Sequence, residues 1–376
     1  MKVAIVHDWL TQSGGAELVL EVLHTMYPQA PVYTSVYAWD RMPPVYRDWD
    51  IRTSFMQRLP LVKRHHQPFL FFYPPAFQSM HLGDYDLVIT NSSGFCHGVV
   101  VSPSTCHINY CLTPPRFVWN VEHYLQREQM EGLLKWVLPW LVRPLRGWDF
   151  KVAQRVSHFI GISQAVVERI RSCYGRDAAL IYPPVDTRRF SPATEIGDYF
   201  LIVSRLVPYK RVDLAVKAFN ELGLPLLIVG EGRDREALEA MAKPNVRFLG
   251  RLPLAEVQRL FPRCRAFIFP GEEDFGIAPL EAQASGRPVI AYAAGGALET
   301  VIEGETGTFF TQPTPESLME AVQRISNQDF DGVRIRRHAE RFDTQNFIRE
   351  FSDFVARQMV AWQGKTYSHG EGAIGG

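Results

Sequence analysis

Two carboxylates, Glu273 and Glu281, stand eight residues apart in the run Glu273-Asp274-Phe275-Gly276-Ile277-Ala278-Pro279-Leu280-Glu281. One carboxylate can accept from two neighbouring hydroxyls, while a glycine turn leading into a helix offers backbone N–H groups to an anion. A ligand carrying both a diol and an anion, such as a sugar nucleotide, would use both features. A second constellation is Ser204-Arg205-Leu206-Val207-Pro208-Tyr209-Lys210. Arg205 with its planar fork and Lys210 as a point charge can converge on a diphosphate. A plainer reading stays open for each group. The glutamates can be solvated carboxylates, Glu281 complementing a helix dipole, and the cations can be surface charges near a helix start, where they are mildly unfavourable.

The surrounding pattern says what holds these residues. Cys264-Arg265-Ala266-Phe267-Ile268-Phe269-Pro270 reads as a short buried strand, with Glu273 on the loop at its carboxyl end. That end is where open α/β sheets bind ligands. Pro279 fits the first position of the next helix, which places Glu281 in its first turn. Near-continuous apolar strands are expected at 2–7, 32–37, 86–91, 107–112 and 158–162, then at 199–204, 226–229, 246–249, 266–269 and 288–292. Helical periodicity lies between them, at about 14–26, 212–222, 233–242, 254–261, 279–284 and 297–301. Such alternation predicts an α/β fold of two Rossmann-like, doubly wound parallel-sheet domains, facing each other across a cleft. The expected division is 1–190 for the first domain and 191–346 for the second. A helix over 347–362 is expected to cross back to the first domain, and 363–376 reads as a disordered tail.

Several further residues fall at predicted strand ends. Gly14-Gly15 follows the first strand and Gly295-Gly296 a second-domain strand; either pair can admit a phosphate or simply make a turn. Six residues separate the first strand from Gly14, so this is not the dinucleotide-binding G-x-G-x-x-G pattern. His7 and Asp8 end the first strand as cleft candidates, although His7 equally fits a satisfied core histidine. His107 begins the segment His-Ile-Asn-Tyr-Cys-Leu-Thr-Pro-Pro-Arg, whose Arg116 can meet an acceptor or a phosphate or stay a surface arginine. Three D-x-D pairs, Asp48/Asp50, Asp84/Asp86 and Asp329/Asp331, follow no second-domain strand near the proposed diphosphate loops and read as incidental. No metal site is expected.

Composition narrows the classes. A chain of 376 residues with 46% apolar content supports two cores, and 40 basic against 40 acidic residues argue against a broad nucleic-acid surface. Cys96, Cys106, Cys111, Cys173 and Cys264 form no CxxC pair, so neither a disulfide framework nor structural zinc is expected. With a strand-like start and no run of eighteen apolar residues, a cytoplasmic location is expected. Two stretches stand out. Residues 51–83 lack Asp and Glu and interleave cations with aromatic residues, and 124–155 add Trp136, Trp140 and Trp148 among Lys135, Arg143, Arg146 and Lys151. Such surfaces suit an anionic bilayer, and domain core is the alternative.

With these residues in view, the chain resembles the retaining nucleotide-sugar glycosyltransferases of family 4, with GT-B architecture. The resemblance covers nearly the whole chain, rests chiefly on Glu273–Glu281 and Arg205–Lys210, and is supported by the glycine pairs. Its nearest likeness is to bacterial mannosyltransferases that assemble lipid-linked O-antigen or exopolysaccharide. It implies that Glu273 meets the donor sugar and Glu281 the ribose hydroxyls, and that Phe275, Gly276 and Ile277 line the sugar and diphosphate. It further implies that Arg205 and Lys210 neutralise the departing diphosphate, that Gly15 approaches the phosphate, and that backbone near Arg251 and Leu252 meets the base. The implied donor is GDP-mannose, with UDP-glucose or UDP-N-acetylglucosamine as alternatives; the implied acceptor is lipid-linked or an oligosaccharide. No tightly bound cofactor is expected, and the inner face of the cytoplasmic membrane is the implied place of work. Relatives carry histidine where this chain has Leu112, a role that His107, Asn109 or Arg116 would have to fill. A sugar-nucleotide epimerase or phosphorylase-like enzyme, and a degenerate transferase acting as a scaffold, are the rival readings.

Overall fold

The computed structural model describes residues 1–64, 67–121, 125 and 133–370. The described residues up to Pro184, apart from Leu125, group with those from Phe347 onward in one compact unit, and Val185–Asn346 form a second.

Among the described residues the first unit is built on seven parallel strands: β1 (Val3–His7), β2 (Val32–Thr34), β3 (Ile51–Thr53), β4 (Leu87–Ser92), β5 (Cys106–Cys111), β6 (His158–Gly161) and β7 (Ala178–Leu180). Their spatial order is β3-β2-β1-β4-β5-β6-β7. The second unit has six, also parallel: β8 (Phe200–Val203), β9 (Leu226–Val229), β10 (Val246–Gly250), β11 (Phe267–Phe269), β12 (Val289–Tyr292) and β13 (Gly307–Phe310), in the order β10-β9-β8-β11-β12-β13. Both units are therefore doubly wound α/β sheets. In each, strand order reverses beside the first strand, between β1 and β4 and between β8 and β11. A crevice at the carboxyl ends of the strands opens at such a switch point.

Side-chain alternation shows why these runs are strands. In β8, Phe200 and Ile202 join one core cluster and Leu201 joins the other; in β11, Ile268 faces the first cluster while Phe267 and Phe269 face the second. Each face is then closed by a helix. Val212–Leu222 offers Val212, Ala215, Val216 and Phe219, spaced by three and four, to the first cluster, and Gly223 ends it at φ +67.

Three strands escaped the sequence reading. β3 and β7 are only three residues long and part-exposed, and β13 opens with Gly307, whose missing Cβ is what lets it lie against the backbone of Val289. Two helix expectations need correction. The helix after β11 starts at Ile277, so Pro279 is its third residue and Glu281 its fifth, beyond the first turn. Pro279 is still tolerated, because the first four N–H groups of a helix have no internal partner. The final helix runs Thr344–Gly370, so residues 363–370 continue it where a disordered tail was expected; no proline interrupts this span, and 371–376 lie outside the described residues. Its Phe347 and Phe351 rings meet Tyr110 edge-on at 5.6 and 6.1 Å.

Candidate active site

The loops after β8 and β11 meet at the switch point of the second unit. After β8 the chain makes a 3-10 turn over Pro208–Lys210, and Arg211 follows at φ +51 with its guanidinium 3.0 Å from the Asp213 carboxylate. This turn aims Lys210 inward, where its ammonium pairs with the Glu273 carboxylate; the two side chains are 14% and 20% exposed. Arg205 is exposed and donates to the Tyr209 hydroxyl at 2.5 Å. The Tyr209 ring centre lies 6.0 Å from the Arg205 guanidinium and 5.4 Å from Lys210 Nζ. Tyr209 thus gathers both cations. It was missed from sequence, although an aromatic residue between two cations on one loop was a signal in plain view.

Glycine makes the loops' close approach possible. A Cβ on Gly271 would stand 2.7 Å from the Tyr209 carbonyl oxygen, so the β11 loop lies against the Lys210 turn only because that residue is glycine. Gly295, at φ +58, packs on the Glu273 carbonyl in the same way, and Gly296 donates its N–H to that carbonyl at 2.9 Å. The loops after β8, β11 and β12 therefore form one backbone-locked platform carrying Arg205, Lys210 and Glu273.

Other second-unit candidates take different places. Phe275 is 3% exposed and its ring packs against Phe342 at 5.8 Å. Its ring therefore anchors the loop in the core, correcting the expectation that it walls a sugar pocket. Gly276, at φ +93, and Ile277 lead into the helix that carries Glu281. Burial pushes the Glu281 carboxyl up to about 7, with the positive charge of Arg189 pulling it down in part. Leu252 packs on the cluster containing Val257 and Phe261, while Arg251 stays exposed after β10.

The first unit reassigns most of its candidates to structure. Gly14 caps the helix Gly15–Met26 in an extended conformation. His7 is buried, with Nε2 3.5 Å from Glu17 Oε1 and Nδ1 3.3 Å from Asn91 Nδ2. Asp8 accepts backbone N–H groups from Ser93, Gly94, Phe95 and Cys96 at 2.7 to 2.8 Å, which occupies its oxygens and staples the loop after β4. It is 1% exposed, so it is a structural residue and not the cleft residue expected. His107 lies within β5, buried against Thr90 Oγ1 at 3.1 Å. Burial chiefly, then the charges of His97 and Arg155, lower its pKa to about 3. Asn109 is fully buried and accepts from Ser92 Oγ at 2.8 Å. Both residues are withdrawn as replacements for the histidine absent at Leu112, because each is sealed inside the sheet. Arg116 opens the short helix Arg116–Trp119 and is half-buried.

The D-x-D acids also have local duties: Asp50 pairs with Arg52 at 2.7 Å, Asp86 accepts the Lys2 N–H at 2.6 Å, and Asp331 caps the helix Gly332–Ala339.

Residues 186–344 match the family described as Glycosyl transferases group 1. The match spans the second unit and its site. A GDP-mannose-dependent monoacylated alpha-(1-6)-phosphatidylinositol monomannoside mannosyltransferase of Corynebacterium glutamicum is 35% identical over 183 residues, covering 40% of this chain and 48% of the relative. The O-antigen chain mannosyltransferase RfbU of Salmonella typhimurium is 26% identical over 205 residues, covering 48% and 58%. The chain spans about half the length of the first curated relatives it matches. Among solved structures, Anabaena Alr3699/HepE in complex with UDP aligns with a TM-score of 0.71 at 18% identity, over 95% of this chain and 100% of that one. Sucrose-phosphate synthase from Thermosynechococcus elongatus aligns at 0.73 with 17% identity, over 96% and 100%. At such identities the likeness concerns the fold, which is that of the GT-B glycosyltransferases.

Proposed function

We propose that this protein is a retaining family 4 glycosyltransferase that moves mannose from GDP-mannose to a lipid-linked or oligosaccharide acceptor in cell-surface polysaccharide assembly, at the inner face of the cytoplasmic membrane. The observation that carries this reading is the Lys210–Glu273 pair beside Arg205 and Tyr209 at the switch point of the second unit. The GDP-mannose dependence of two relatives, at 35% and 34% identity, supports the donor.

In this reading the nucleoside diphosphate displaces Lys210 from Glu273. The freed carboxylate accepts hydroxyls of the sugar, and Glu281 accepts the ribose diol. As the bond from the anomeric carbon to the diphosphate oxygen breaks, negative charge grows on that oxygen. Lys210 and Arg205 then hold it more strongly than they held the ground state, which lowers the barrier. The acceptor hydroxyl attacks from the face the diphosphate leaves, so configuration is retained, and the departing phosphate oxygen takes its proton. The cations supply the charge compensation, so the proposal requires no divalent metal. Acceptor-dependent release of GDP from GDP-mannose, undiminished by a chelator, is the test. Loss of activity on chelation would overturn metal independence, and absence of donor turnover with any acceptor would favour the scaffold reading that Leu112 invites.

A further inference from the structure

The second unit holds a cavity at the end of its sheet opposite the Lys210 and Glu273 loops. Its volume is about 230 Å³, and Phe200, Arg265, Arg287, Ile325, Asp329 and Phe330 are among the residues lining it. Phe200 opens β8, while Arg265 and Arg287 each stand two residues before a strand, β11 and β12. These are amino ends; the loops of the candidate active site leave the carboxyl ends of the same three strands. Three or four residues of strand, roughly 10–13 Å, separate the two ends. Because Phe267 pairs with Val289 in parallel register, Arg265 and Arg287 come level with each other as they lead into β11 and β12. The Arg265 guanidinium lies 5.5 Å from the Phe200 ring centre, and Arg287 Nη2 donates to the Arg265 carbonyl at 2.9 Å.

Like charges set level on adjacent strands repel, and burial adds to that cost. Arg287 is part-buried, and its Nε is sealed from water without an acceptor. Burial holds its pKa below the ordinary arginine value, with Cys264 and Tyr199 offsetting part of the effect. Neither guanidinium has a carboxylate partner among the described residues. A desolvated cation is ordinarily offset by an anion, and here the chain brings none into contact. The lining has a second character as well. It includes the exposed Asp329 and, at Ser326, the carbonyl end of the helix Pro315–Ser326, worth about half a negative charge. Such groups oppose a phosphate but accept hydroxyls, while Phe330 and Ile325 add apolar wall. The volume falls below the roughly 300–1,000 Å³ of sites for drug-sized ligands, so the occupant must be small.

We propose that this cavity binds a small phosphorylated polyol, its phosphate between Arg265 and Arg287 and its hydroxyls on Asp329. A guanidinium fork meets two phosphate oxygens at once, and a phosphate dianion offsets both cations. The site is separate from the loops proposed to hold the nucleotide sugar, and it does not depend on which donor those loops take.

The experiment is calorimetry of the purified full chain with ribose 5-phosphate, inorganic phosphate and ribose. Wild type should bind ribose 5-phosphate saturably, about tenfold more tightly than inorganic phosphate, and should not bind ribose. Arg265→Gln and Arg287→Gln should each weaken ribose 5-phosphate at least about tenfold. Arg265→Gln removes no hydrogen bond within the described residues, so its melting temperature should match wild type. Asp329→Asn should act in opposite directions, weakening ribose 5-phosphate and strengthening inorganic phosphate. Lys210→Ala should bind ribose 5-phosphate as wild type does, which keeps the site apart from the donor loops. Unsaturable binding, equal affinity of wild type for the two phosphates, arginine variants that bind as wild type does, or binding lost in Lys210→Ala would overturn the proposal. Failure of GDP-mannose to bind, with ribose 5-phosphate still bound, would instead strike the transferase reading.

Discussion

If Glu281 accepts the ribose diol as proposed, it links stability and donor binding in opposite directions. Its carboxyl rises from 4.5 to about 7 because burial disfavours the charged form. A carboxyl whose folded pKa exceeds its unfolded one costs nothing below pH 4.5, where both states are protonated. The cost grows as pH rises from 4.5 to 7 and is constant above; a shift of this size corresponds to about 3 kcal/mol. The proposed contact with the ribose diol, however, would need the ionised form as acceptor. Apparent affinity for GDP-mannose should therefore be flat above about pH 8 and fall about tenfold per unit well below pH 7, a loss of roughly 30-fold by pH 5.5. The diphosphate of the intact donor is esterified at both ends and does not titrate in this range. Calorimetry of GDP-mannose binding between pH 5.5 and 8.5 reads the effect directly. Glu281→Gln should abolish the pH dependence and weaken binding at pH 8, yet raise the melting temperature of the free protein there. Affinity flat with pH in wild type, or unchanged in the Gln variant, would refute the ribose contact.

Other substitutions separate the cluster's parts. Lys210→Ala should lower kcat about 100-fold, close to 3 kcal/mol, with a smaller change in donor affinity, measured by steady-state kinetics and calorimetry. Tyr209→Phe removes the hydroxyl that holds Arg205, so kcat should fall about tenfold with no change in melting temperature. Asp8→Ala leaves four backbone N–H groups of the loop after β4 without their acceptor, and urea unfolding should show a loss of about 3 kcal/mol or more in the first unit.

Periodicity and order carried most of the fold. The helix Val212–Leu222 and the strand Leu226–Val229 have the limits expected, because their apolar spacing and the flanking Gly223 are local signals. Short strands such as β3, with sequence Ile-Arg-Thr, carry no period to detect and exist only because a neighbour supplies the pairing at Val32–Thr34. In the site, the link between Lys210 and Glu273 was approached through strand-end logic, which needs only topology. Asp8 could not be understood that way, since its partners begin 85 residues further on and a carboxylate looks alike whether it meets a ligand or a loop. His107 was misplaced for a different reason: it stands at the amino end of β5, away from the crevice at the carboxyl ends, so strand direction excludes it. Phe275 shows the same limit as Asp8, since an aromatic residue on a loop looks alike in sequence whether it lines a pocket or, as here, packs in the core.

A structure of the protein soaked with GDP tests the clamp most directly. The account predicts the β-phosphate within about 3 Å of Lys210 Nζ, with Lys210 drawn off Glu273, Arg205 on the same phosphate and Glu281 on the ribose hydroxyls. GDP bound elsewhere, with Lys210 still paired to Glu273, would contradict it.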